Sequence, residues 1–94
     1  AGHVAGDAHV LRGAPDLVIE VSSPSTLAVD RGEKLRTYRR RGVREYWIVD
    51  LFARVVEINE FGARPRVRIL QEGQTFQSER LPGLVVRVDD VFEP

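Results

Sequence analysis

Residues 16–22, Asp-Leu-Val-Ile-Glu-Val-Ser, alternate in a way that fits an extended segment. Leu17, Ile19 and Val21 point to one face, and Asp16, Val18, Glu20 and Ser22 to the other. Ser23-Pro24-Ser25 ends the run, because proline has no N–H to give to a ladder. The period then changes. The spacing predicts a helix over 31–41, with Leu35 and Tyr38 on its inward stripe and Lys34 at the stripe's edge. Asp30 is placed as its cap, with Glu33 three residues on as in a capping box, and Gly42 as its stop. Residues 45–50 read as a compact buried strand, 51–53 as a turn, and 54–59 as a further strand. After Phe61-Gly62, residues 66–70 alternate as a half-exposed strand does. Short strands follow at 75–78 and 84–88, and 89–92 reads as a helical turn that packs Phe92. Residues 1–13 are Gly/Ala-rich and read as a loose arm with a short strand at 9–11, leaving 14–94 as the core. The predicted architecture is α/β: a mixed sheet, one main helix and a C-terminal antiparallel β-meander.

Composition narrows the function classes. A chain of 94 residues is one small domain or part of one, only modestly stabilised by its own core. There is no cysteine, which excludes disulfides, thiolate metal sites and cysteine nucleophiles. No apolar run reaches the roughly 20 residues that span a bilayer. The opening AGHVAGD lacks the charged start and apolar block of a signal peptide, so the expected location is the cytoplasm. Fourteen basic and fourteen acidic residues balance to zero, so overall charge does not mark a nucleic-acid binder. The distribution says more. Lys34 is the only lysine, and Arg36, Arg39, Arg40, Arg41 and Arg44 crowd within nine residues. That cluster either meets phosphates or forms a solvated helix end paired with acids such as Glu33 and Glu45.

Three residues invite chemistry. Glu20 is an acid in a mostly apolar strand; it is a ligand for a hard cation such as Mg²⁺, or a solvent-facing position. Lys34 either reaches the same place to stabilise charge on a phosphate, or snorkels beside Leu35 and Tyr38. Asp16 shares the face of Glu20, but four strand residues span roughly 13 Å, too far for two ligands of one ion. A structural role at the start of the strand, after Pro15, suits it better. His3 and His9 have no partner at metal-ligand spacing, Ser22, Ser23 and Ser25 surround a proline as turn residues do, and no phosphate-cradling glycine loop is present.

Two stretches together carry a resemblance: GAPDLVIEVSSPST and DRGEKLRTYRRRGVREYWIVD. They resemble the Uma2 (DUF820) family of restriction-endonuclease-type proteins in the PD-(D/E)xK nuclease superfamily. The resemblance is strongest over residues 13–50, and the β-rich remainder suits the family's C-terminal half. It implies a restriction-endonuclease-like fold, DNA as substrate, and Mg²⁺ (or Mn²⁺) as cofactor. Glu20 matches the acid of the (D/E)xK strand. The position of the motif lysine is Ser22 here, so the resemblance moves that role to Lys34 on the helix. Asp16 falls in the family's PD dipeptide; apart from the resemblance, Arg36, Arg39 and Arg40 of the basic cluster are the candidates for contact with DNA. The superfamily's metal-binding Asp usually comes from an earlier strand, and no such segment precedes Asp16, so the expected core is N-terminally truncated. The Glu20 strand would then show an open edge, best covered by a second copy as a homodimer. Two functions follow: a metal-dependent endonuclease, or a non-catalytic remnant serving as an oligomerisation or nucleic-acid-binding module.

Overall fold

A computed structural model describes residues 4–5, 16–78 and 81–92. The elements in chain order are β1 (Val4–Ala5), β2 (Leu17–Ser22), α1 (Leu27–Arg31), α2 (Glu33–Arg40), β3 (Glu45–Asp50), β4 (Val55–Glu60), β5 (Arg66–Leu70), β6 (Thr75–Gln77), β7 (Val85–Arg87) and α3 (Val88–Phe92). Strands β1 to β5 form one mixed sheet in sequence order. β1, β2 and β3 run parallel; β4 and β5 return antiparallel. β6 and β7 form a separate two-stranded antiparallel sheet, so the expected meander divides after β5.

Both faces of the sheet are covered, as an α/β parallel segment requires. On one face Leu17, Trp47, Val49, Val56 and Ile58 pack with Phe76 and Val88 from the β6–β7 layer and α3. Phe92 joins them, as the tail's periodicity predicts. On the other face Val18, Tyr46, Ile48, Val43 and Phe61 receive Leu27, Leu35 and Tyr38 from the two helices. The alternation of 16–22 therefore places its two faces as read.

The helical segment departs from expectation in one respect that shapes the site. Instead of one helix over 31–41 there are two, broken at Gly32. A Cβ at Gly32 would lie 3.0 Å from the Ala28 carbonyl oxygen, so the close turn between helices needs glycine. Asp30 lies inside α1 and is buried; it caps nothing, and neither helix has a side-chain cap. α2 stops before Gly42, whose φ of 83° is the left-handed conformation that ends helices.

The expected open edge of β2 is partly closed. Val4 and Ala5 pair with Leu17 and Val18 of β2. The strand read at 9–11 lies outside the described residues.

Candidate functional site

The site lies where parallel strands end and helices begin, the usual place for ligands in α/β sheets. In register, Glu20 sits opposite Ile48 and Ile48 opposite Glu57, while Ser22 sits opposite Asp50. These side chains share the face that carries α1 and α2. The α1–α2 break delivers two cations onto that face, Arg31 and Lys34.

Lys34 Nζ donates to Glu20 Oε2 at 2.5 Å. It also lies 3.2 Å from Asp30 Oδ1, without the alignment of a hydrogen bond. Glu20 is 7% exposed and Asp30 1%, so the two acids are nearly out of water. Buried carboxylates are costly unless paired, and here one ammonium serves both. Asp30 is held from two sides: the Ser22 hydroxyl donates to its Oδ2, and the Tyr46 hydroxyl donates to its main-chain carbonyl at 2.9 Å. The Lys34 ammonium is raised above the ordinary lysine value. Hydrogen bonding to Glu20 is the largest cause, burial opposes it, and Asp30 adds to it. Lys34 is therefore a fixed cation at neutral pH, unsuited to removing a proton.

A second clamp lies one strand over. Arg31 Nε donates to both Glu57 oxygens, at 2.9 and 3.1 Å, and its Nη2 also bonds Glu57. Asp50 Oδ2 is 3.8 Å from the same guanidinium. Glu57 raises the Arg31 guanidinium further above its ordinary value. This fork-to-carboxylate geometry is the rigid kind of ion pair and fixes α1 against β4. Sequence reasoning missed Asp30, Asp50 and Glu57. The signal that singled out Glu20, an acid in an apolar strand, applies equally to Asp50 and Glu57.

Of the residues read from sequence, the structure brings together Glu20 and Lys34. Asp16 stands at the opposite end of β2, 3.9 Å from Arg44, while its main-chain carbonyl accepts from Glu45 N. Arg36, Arg39 and Arg40 are exposed along α2. Glu45 is not an arginine partner on that helix. It is fully buried on the other face, accepting from Trp47 Nε1 and Ser78 Oγ at 2.7 Å each.

The donor set fits a hard cation of the Mg²⁺ kind, which takes one or two carboxylates and completes its shell with water and phosphate oxygens. Glu20 supplies a carboxylate for such an ion, and Asp30 Oδ1 stands no more than 5.7 Å from Glu20 Oε2, the limit set by their contacts of 3.2 and 2.5 Å to one ammonium. Among the described residues no three His, Cys, Asp or Glu gather as a metal site, so an all-protein cage is not formed there.

Comparison with known proteins decides the lineage. The family model of Uma2, described as "Putative restriction endonuclease", matches residues 2–89. The chain belongs to the Uma2 family. No curated protein matches it. A crystal structure of "a putative nuclease belonging to DUF820" from Anabaena variabilis shares the fold, with a TM-score of 0.66 at 18% identity. The match covers 87% of this Uma2 chain and 46% of that protein, so this chain spans about half of that relative's length. The mixed α/β, nuclease-like fold expected from sequence is the one observed.

Proposed function

We propose that this Uma2 domain is the core of a Mg²⁺- (or Mn²⁺-) dependent endonuclease that hydrolyses DNA phosphodiester bonds. The observation that carries this is the half-buried Glu20–Lys34 contact at the carboxyl ends of the parallel strands in a member of this family. Glu20 is the residue that would hold the metal ion. When bound, such an ion supplies a Lewis acid for the phosphoryl oxygen and an activated water. Lys34 acts by charge: its ammonium beside the scissile phosphate stabilises the negative charge that builds in the transition state. Arg36, Arg39 and Arg40, spread along the exposed face of α2, meet the DNA backbone. Asp16 is too distant along β2 to share an ion with Glu20, and its place near Arg44 supports a role in fixing the start of the strand. The same reading includes a homodimer joined through an exposed sheet edge.

The test is nicking of supercoiled plasmid with Mg²⁺ or Mn²⁺ by the wild type, Glu20→Ala and Lys34→Ala. The expected result is cleavage by the wild type, reduced about 100-fold or more in each variant, the scale of losing a transition-state charge contact. Wild-type-like cleavage by either variant overturns the assignment. Binding without cleavage by the wild type favours the alternative, a DNA-binding module that does no chemistry.

A further inference from the structure

The ammonium of Lys34 stands between two carboxylates of unequal hold. Glu20 takes it in an aligned hydrogen bond, whereas Asp30 Oδ1 lies near it and accepts no aligned bond. Asp30 cannot move far, because Ser22 fixes its other oxygen and Tyr46 its carbonyl. Lys34 can. Its side chain is 43% exposed, at the start of α2, on a flexible four-carbon stem. A divalent cation at Glu20 would share the carboxylate that now pairs with the ammonium. It would also repel an ammonium left nearby with no anion of its own.

We propose that Asp30 is the alternate seat of the Lys34 ammonium. Lys34 is the internal counter-cation of Glu20 in the free protein and shifts onto Asp30 when a divalent cation takes Glu20. This rests on the reading of Glu20 as a metal ligand. It gives Asp30 a positioning role. A carboxylate that need not touch the ion keeps a cation beside it, facing the phosphate, and no buried charge is left unpaired at any stage.

The experiment measures Mn²⁺ binding without DNA, from the electron paramagnetic resonance signal of free Mn²⁺. It compares the wild type, Glu20→Gln, Lys34→Met, Asp30→Asn and the Lys34→Met/Asp30→Asn double variant. Removing the competing ammonium should tighten binding, on the order of tenfold in Lys34→Met. Asp30→Asn should weaken it by a similar factor, because the displaced ammonium loses its seat. In the Lys34→Met background Asp30→Asn should change nothing further. Equal or weaker binding by Lys34→Met overturns the proposal. A loss on adding Asp30→Asn to Lys34→Met also overturns it, and makes Asp30 a metal ligand instead.

Binding by the wild type that Glu20→Gln abolishes keeps the Glu20 reading whatever becomes of Asp30. No binding by any of the five proteins ends both. Asp30 is buried, so its variant is checked for folding by the near-ultraviolet signal of Trp47. Should it not fold, ¹⁵N resonance of the wild type decides. Lys34 is the only lysine, so its Nζ signal is unambiguous. On adding Mg²⁺ it should shift yet keep slow exchange with water. A switch to fast exchange means that the ammonium has gone to solvent and contradicts the proposal.

Discussion

Tyr46 shows how much of the site is held by single atoms. Its hydroxyl is the donor for the Asp30 carbonyl, and its ring packs against Tyr38 at a centroid distance of 4.9 Å. Tyr46→Phe keeps the packing and leaves that carbonyl short of a donor. It should cost about 1–2 kcal/mol in urea unfolding, the usual penalty for a buried unmade hydrogen bond. Titration gives a second prediction at this scale. Lys34 is raised above the ordinary value of 10.5, mainly by its bond to Glu20, and burial pushes the Tyr46 phenol up as well. Both shifts have one sign. The stability they contribute is complete below the unfolded-state values and is lost as pH rises through the higher folded-state ones. Unfolding free energy should therefore not fall on account of these groups between pH 7 and about pH 9, and should drop above about pH 10. In Lys34→Met the alkaline drop should be smaller; an unchanged drop would show that the pair does not set it.

At the scale of elements, the two glycines that bound α2 do different work. Gly42 at φ 83° ends the helix, and Gly42→Ala should cost about 1–2 kcal/mol of stability. It lies at the far end of α2 from Lys34 and should leave cleavage unchanged, as thermal melting and a nicking assay together would show. α2 also carries the arginines proposed to meet DNA. Replacing Arg36, Arg39 and Arg40 by alanine should flatten the dependence of log affinity on log salt by about one for each that meets a phosphate. An unchanged slope would place the DNA elsewhere.

Most elements were legible because their patterns are strong and local: β2 alternates, β3 is a dense apolar run, and Gly42 is a clear stop. The α1–α2 break was not. Asp30 three residues before Glu33 imitates a capping box, and only tertiary contacts with Ser22, Lys34 and Tyr46 turn it inward. The same holds for the site. Glu20 and Lys34 stand out one by one in the sequence. Their contact, and the Arg31–Glu57 clamp beside it, depend on sheet register and on the bend at Gly32, which no local pattern encodes.

Over the whole molecule, apolar clusters cover both faces of the sheet, and the helix face also carries the paired charges of Glu20, Asp30, Asp50 and Glu57. The other face holds Glu45, satisfied by Trp47 and Ser78, and opposite it Glu60, paired with Arg66 and Arg68. Among the described residues, β1 pairs with β2 at Leu17 and Val18. At the other edge β5 leaves Val67 and Ile69 exposed. Exposed strand edges with apolar side chains favour pairing between chains. Sedimentation equilibrium should show a dimer that Val67→Lys with Ile69→Lys weakens; a monomer at all concentrations would remove the dimer from the account.

No helix among the described residues is long and apolar enough to cross a membrane. In the proposed function Glu20 and Lys34 form one hydrolytic site. Its most direct test is the single-turnover rate of cleavage of an end-labelled DNA duplex in Mn²⁺ by the wild type, Glu20→Gln, Lys34→Met and the double variant. Residues acting as a unit are strongly non-additive, so the double variant should be about as slow as the worse single one. Rates that fall independently and multiply, or a wild-type rate in either single variant, would contradict a shared site.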